Sequence, residues 1–180
     1  MTNAIRGRLL SFSGDPAGGD DAVRYWPDGM IVVESGRIAA VGHASEVGPT
    51  LSPDVAVEHY PDDLILPGLI DTHIHFVQVE VIASYGTQLL DWLNNYTFVA
   101  EQKFSDPAFA ATQAKFFLDE LMRNGTTTAL VYCSVHKHSA DALFAEADRR
   151  GIGLVAGKVM MDRNAPDALL DDATSSYDDS

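Results

Sequence analysis

An α/β fold is predicted, with a small β-rich segment leading into a parallel sheet or barrel, and three observations predict it. Short β-branched runs separated by turn residues fill the chain up to about Leu66. Pro67-Gly68 then marks a change of texture, and beyond it strand-like and helix-like patterns alternate. With 180 residues, 46% of them hydrophobic, the chain can bury a sizeable core.

In the first segment Ile5 to Phe12, Val55 to Tyr60 and Leu64 to Leu66 read as short strands. Met30 to Glu34, Ser35-Gly36 and Arg37 to Val41 read as a hairpin across a two-residue turn. Asp15 to Asp21 is a polar, Gly-rich loop. The second segment begins with a strand over Leu69 to His75, followed by a short helical piece near Gln88 to Tyr96. Its clearest helix starts at Ser105-Asp106-Pro107, a cap with proline at the first helical position, and stops at Gly125. Phe109, Phe116, Phe117, Leu121 and Met122 fall at helical spacing and predict its buried stripe. Thr126 to Cys133 is a second strand, Ser139 to Arg150 a helix closed by Gly151, and Ile152 to Met160 a third strand. The acidic tail from Asp167 to Ser180 reads as a loop or the start of a helix. Taken as a barrel, this is a partial (β/α)8 TIM-type barrel of about three strands, since a closed one needs roughly 250 residues and eight strands. The expected division is 1–66 for the β-rich domain and 67–180 for the first part of the barrel domain.

A formal net charge of -14 argues against a nucleic-acid partner, because phosphate binding rests on clustered Lys and Arg and only 12 such residues are present. No apolar run approaches the roughly 18 residues of a membrane span. One cysteine, Cys133, excludes an intramolecular disulfide, and no leader-like opening is seen, so a soluble, cytoplasmic protein is expected. The single cysteine also excludes the zinc site built from His-X-Glu and Pro-Cys-X-X-Cys. Neither a Gly-X-Ser-X-Gly elbow nor a P-loop occurs.

His73 and His75 lie two apart in a strand, so both imidazoles face the same side and suit a single metal ion. They end a strand that follows Pro-Gly, at the carboxyl end where barrel enzymes build their sites. Two imidazoles leave such a site short of the roughly three to four protein ligands a catalytic zinc uses. Asp71, on the same face, is placed to accept a hydrogen bond that supports them. A second pair, His136 and His138, follows the next strand; Lys137, Ser134 and Ser139 around it suggest a solvated loop lining the substrate cleft rather than a metal site. His43 and His59 read as structural or surface residues.

The run LPGLIDTHIH from Leu66 to His75 resembles the first-strand motif of the amidohydrolase superfamily. A narrower resemblance is to the guanine deaminases. It is carried by Phe76-Val77-Gln78, by ASYGTQLLDWLNNYTF from Ala83 to Phe98, by NGTTTA from Asn124 to Ala129 and by GKVMMDRNAP from Gly157 to Pro166. The resemblance implies His73 and His75 as the first two ligands of one Zn²⁺, and His75 and Gln78 as contacts to the purine. An amide presents both a donor and an acceptor, which suits an edge of guanine. The implied reaction is hydrolysis of guanine to xanthine and ammonia in purine catabolism, by a zinc-activated hydroxide. The family's other metal ligands, its proton-shuttling glutamate and its base-gripping Arg-Phe pair belong to later strands and have no counterpart in this sequence. No catalytic residue is therefore assigned, and these residues alone are expected to be inactive. A homodimer is implied for the full-length enzyme. Two alternatives stay open: an amidohydrolase acting on another heterocycle, and a non-catalytic truncated chain whose unpaired strand edges favour aggregation.

Overall fold

The computed structural model describes residues 2–180, and the chain divides into two compact units whose boundary falls between Pro67 and Gly68. In the first unit strands β1 (Thr2–Phe12), β2 (Val23–Glu34), β3 (Arg37–His43) and β4 (Ala56–Ile65) form one sheet in the order β3-β2-β1-β4. The β2–β3 turn is Ser35-Gly36, with φ of 50° and 76°, the left-handed pair that matches the twist of a hairpin. β1 pairs antiparallel with β2 and parallel with β4.

All four strands are longer than the sequence patterns suggest, β2 and β4 most of all. β4 runs unbroken where two pieces were expected, because Pro61 sits on an edge strand, where a missing N–H costs no ladder bond, and the register shifts there. β2 begins at Val23 and absorbs Pro27 through a second register shift. Helix α1 (Ala44–Val47) closes the small core of Ala4, Met30 and Ala44, with Val47, Leu51 and Val55 packed around it.

The second unit is built on a parallel sheet of β5 (Leu69–His75), β6 (Thr126–Tyr132) and β7 (Gly153–Gly157), in that order. Parallel neighbours need crossover connections, and helices supply them. Helices α2 (Leu89–Trp92) and α3 (Phe98–Gln102), joined by a π-helical turn over Leu93–Thr97, precede α4 (Pro107–Arg123). α5 (Lys137–Arg150) follows β6, and α6 (Ala173–Asp178) lies near the end of the chain. The Asp106 carboxylate caps α4 by accepting from the Ala108 amide at 2.8 Å, and Gly151 ends α5 at φ 69°. The Asp172 carboxylate and the Ser175 hydroxyl form a reciprocal capping box on α6.

The buried stripe of α4 is Ala110, Ala114, Phe117, Leu118 and Leu121, which corrects the predicted one. Phe116 and Met122 are 47% and 48% exposed, because the helix turns its small alanines to the sheet and leaves those two on the flank. The core joins this stripe to Phe76, Phe104, Leu143, Ala129, Val131 and Cys133. Ile74, Leu154 and Ala156 pack on it from alternate strand positions. The opposite sheet face carries His73, His75 and Tyr132 together with the exposed Leu130 and Val155. Among the described residues no helix is long and apolar enough to cross a membrane.

Candidate functional site

β5 delivers its last residues to a cavity of about 650 Å³ lined by Asp71, His73, His75, Gln78 and Trp92, among others. The two imidazoles share one face, with ring centroids 5.3 Å apart and planes tilted by 54°. Tyr132, opposite His75 in the β5–β6 register, backs both rings. It stacks on His75 at 5.0 Å and 20° and meets His73 at 4.8 Å. A phenol between two imidazoles restricts how either ring can turn.

Asp71 lines the cavity, and its carboxylate accepts from the His73 backbone amide at 3.0 Å rather than from an imidazole. That bond lies where the β5–β6 register is irregular, between Asp71 and Ile74, so the carboxylate occupies a donor the ladder leaves free. Burial, and then the proximity of His73, push the His75 imidazole below its ordinary pKa. His75 is thus neutral near pH 7, the form in which a ring nitrogen can offer a lone pair to a metal. The donor set fits one metal ion as a pair of ligands and is not a full shell, since among the described residues no group of three His, Cys, Asp or Glu comes together.

After His75 the chain enters a 3-10 turn, Phe76–Val81, anchored by the fully buried Phe76. The Phe76 ring meets Phe104 edge-on at 5.0 Å and Phe117 at 5.5 Å. This anchoring sets Gln78 at the cavity wall. The Trp92 indole N–H donates to the Ser84 hydroxyl at 2.9 Å, which ties α2 to the loop before it. Glu101, on α3, which packs against this turn, is only 6% exposed. Burial raises its carboxyl to about 7.

His136 and His138 do not join this cavity. They line a separate one of about 260 Å³ with Leu170, Asp171 and Asp179, their rings stacked 5.5 Å apart at 12°. His136 is the N-cap residue of α5, so the pair sits on a helix start and not on a strand. The His138 Nε2 donates to the Phe104 carbonyl oxygen at 2.7 Å. Among the described residues the buried His136 Nε2 has no hydrogen-bond partner, and burial followed by the nearness of His138 lowers that imidazole's pKa.

Tyr132 and Glu101 escaped the sequence reading. The alternation of β6 puts Tyr132 on the face opposite Val131, but only the strand register sets it against His75. Glu101 sits in a run, Phe98–Gln102, that carries no motif of its own.

Comparison with known proteins adds family and relatives. Residues 64–180 match the model of the amidohydrolase family. Guanine deaminase of Escherichia coli is 42% identical over 177 residues, which is 97% of this chain and 40% of that protein. Its solved structure superposes with a TM-score of 0.92, covering 99% of this chain and 42% of the other. Guanine deaminase of Bradyrhizobium japonicum gives 0.92 at 38% identity, over 100% of this chain and 40% of that one. The enzyme of C. acetobutylicum, solved with guanine in its active site, gives 0.80 at 31% identity, over 99% and 41%. The chain thus spans about two fifths of the length of these relatives.

Proposed function

The chain belongs to the amidohydrolase family, and from that footing we propose that it furnishes the metal-and-purine half of a guanine deaminase site. The reaction is hydrolysis of guanine to xanthine and ammonia: the exocyclic C–N bond breaks, a C–O bond forms, and the water's protons end on ammonia and the ring. The observation that carries the reading is one cavity along the edge strand β5, shared by Gln78 and by His73 and His75 at the carboxyl end of that parallel strand.

In this reading His73 and His75 hold a zinc ion, and Tyr132 and Asp71 keep them in place, one by stacking and one by pinning the His73 amide. A bound zinc supplies Lewis acidity and brings water within reach of ionisation near neutral pH. Gln78 holds the purine edge with a paired donor and acceptor. The three parallel strands are the opening of an eight-stranded barrel with the histidine face inward, and the Met1–Pro67 unit is its small β-rich companion domain. The family's remaining ligands and its proton shuttle are not among these residues, and the complementary part of a relative would supply them.

The test joins residues 1–180 to the remaining part of the E. coli enzyme and assays guanine, an adenosine-type substrate and a triazine in the presence of zinc. Guanine deamination that falls by at least about a thousandfold in His75→Ala supports the reading. A folded chimaera that prefers another heterocycle replaces guanine as the substrate, and one without hydrolytic activity refutes the proposal.

A further inference from the structure

We propose that Asp71 is a positioning residue whose carboxylate holds a one-residue bulge in β5, and that this bulge turns His73 and His75 to the Tyr132 face while Asp71 itself stays off it. The proposal rests on the reading of the two histidines as metal ligands and names the residue that aims them.

Strict alternation would put Asp71, His73 and His75 on one face, with the carboxylate beside the imidazoles as a third candidate ligand. The strand pairing departs from that pattern twice. Leu69 lies opposite Thr126, whereas Ile70 and Asp71 lie opposite Thr128 and Ala129, one residue out of phase. β5 then takes three steps from Asp71 to Ile74 while β6 takes two from Ala129 to Val131, which restores the phase and sets His75 opposite Tyr132. A slip of one residue exchanges the faces of a strand. Asp71 thus shares its register position with Ala129, a core residue, and leaves the face on which the two imidazoles meet Tyr132. Without the second slip His73 and His75 would fall opposite Val131 and Cys133, which are 2% and 1% exposed within the core.

The second slip has a visible fastening. The His73 amide, inside the irregular stretch, donates to Asp71 Oδ1 at 3.0 Å. A short acidic side chain competes well for a backbone N–H two residues on, and here it satisfies a donor that the ladder does not use. β5 is an edge strand, the place where bulges are most common and where they re-aim side chains beside a site. Asp71 therefore acts through the His73 backbone, and the working part of its side chain is the acceptor oxygen rather than the charge.

The test is nuclear magnetic resonance of the whole 180-residue chain, with and without zinc. The wild type is expected to show a coupling through the hydrogen bond from the His73 amide nitrogen to the Asp71 carboxyl carbon, together with ring contacts from Tyr132 to both histidines. Asp71→Asn keeps an acceptor oxygen, so it should keep both signatures and bind zinc within about twofold of wild type. Asp71→Ala should lose the Tyr132 contact of His73, keep that of His75, and bind zinc about fivefold more weakly, the weight of one hydrogen bond. A wild-type chain without the coupling, or with the His73 ring away from Tyr132, overturns the proposal even if no variant folds. Asp71→Asn that loses zinc as Asp71→Ala does also overturns it, because the charge and not the acceptor would then matter. A His73 ring released by Asp71→Ala in a chain whose histidines ignore zinc supports the aiming and counts against the metal reading alone. Zinc bound equally by wild type and Asp71→Ala, with the His73 contact intact, does the reverse.

Discussion

Two His-X-His pairs end up within one unit of the molecule, with the same spacing and opposite surroundings. His73 and His75 occupy alternate positions of a strand and present both rings to an open cavity, backed by Tyr132. His136 and His138 span the N-terminus of α5, where the helix stacks the rings nearly parallel and gives one of them to the Phe104 carbonyl. The difference teaches that ligand spacing acquires chemical meaning from the backbone beneath it. A strand aims two side chains at one outside point, and a helix start directs them to its own capping and packing.

The surroundings differ in charge as well. Near His136, the Lys158 ammonium pairs with the Asp171 carboxylate, and the two side chains are only 3% and 8% exposed. Asp171→Ala removes one half of that buried pair and is expected to lower the unfolding free energy by about 3–5 kcal/mol, read by urea denaturation. Lys158 and then Ser175 hold the Asp171 carboxyl well below its ordinary value of 3.8. Its contribution is therefore present above that value and is lost as the pH falls through the depressed folded-state one.

Glu101, on α3, behaves in the opposite sense. Its folded-state carboxyl near 7, against 4.5 unperturbed, is neutral at low pH and disfavoured as an anion. Between those values the unfolded chain ionises first, so stability falls as pH rises, by about 3 kcal/mol at most. The titratable groups on the elements packed against α3 are Tyr96, Glu80 with its partner Lys103, and Asp167. Glu101→Gln is expected to gain stability over wild type at about pH 8 and to lose that advantage near pH 4.5, as thermal melts at both values will show.

Smaller effects sharpen the contrast between the pairs. His136→Phe keeps the stacking and deletes a buried nitrogen that lacks a partner, so its stability should stay within about 1 kcal/mol of wild type or rise. His73→Ala removes an exposed side chain and should change stability by about 0.5 kcal/mol or less. Chemical denaturation of both variants checks this. A large loss in His73→Ala would mean that the pair serves the fold rather than a ligand.

Much of the second unit was legible because local rules agree there. Asp106-Pro107 starts α4, Gly151 ends α5, and β-branched Thr126 to Tyr132 forms a strand, although only Ala129 and Val131 of it are buried. The hairpin at Ser35-Gly36 was equally local. What escaped depends on tertiary placement. Phe116 and Met122 fit a helical stripe on spacing, yet Ala110 and Ala114 are the residues the sheet can approach. Tyr132 needed the strand register, Glu101 needed the packing of α3 on the Gln78 turn, and the separate cavity of His136 and His138 needed the N-terminus of α5. Of the candidate site, the His73–His75 pair, Gln78 and Asp71 stood out in the sequence, whereas Tyr132 and Glu101 did not.

The most direct measurement is a zinc titration of the 180-residue chain, followed through the imidazole resonances of its six histidines. The expected result is saturable movement of His73 and His75 together, weakened by more than about tenfold in His75→Ala, with His136 and His138 unmoved. Zinc that perturbs His136 and His138 instead, or leaves His73 and His75 unmoved at millimolar concentration, would contradict the assignment of β5 as the metal-binding strand.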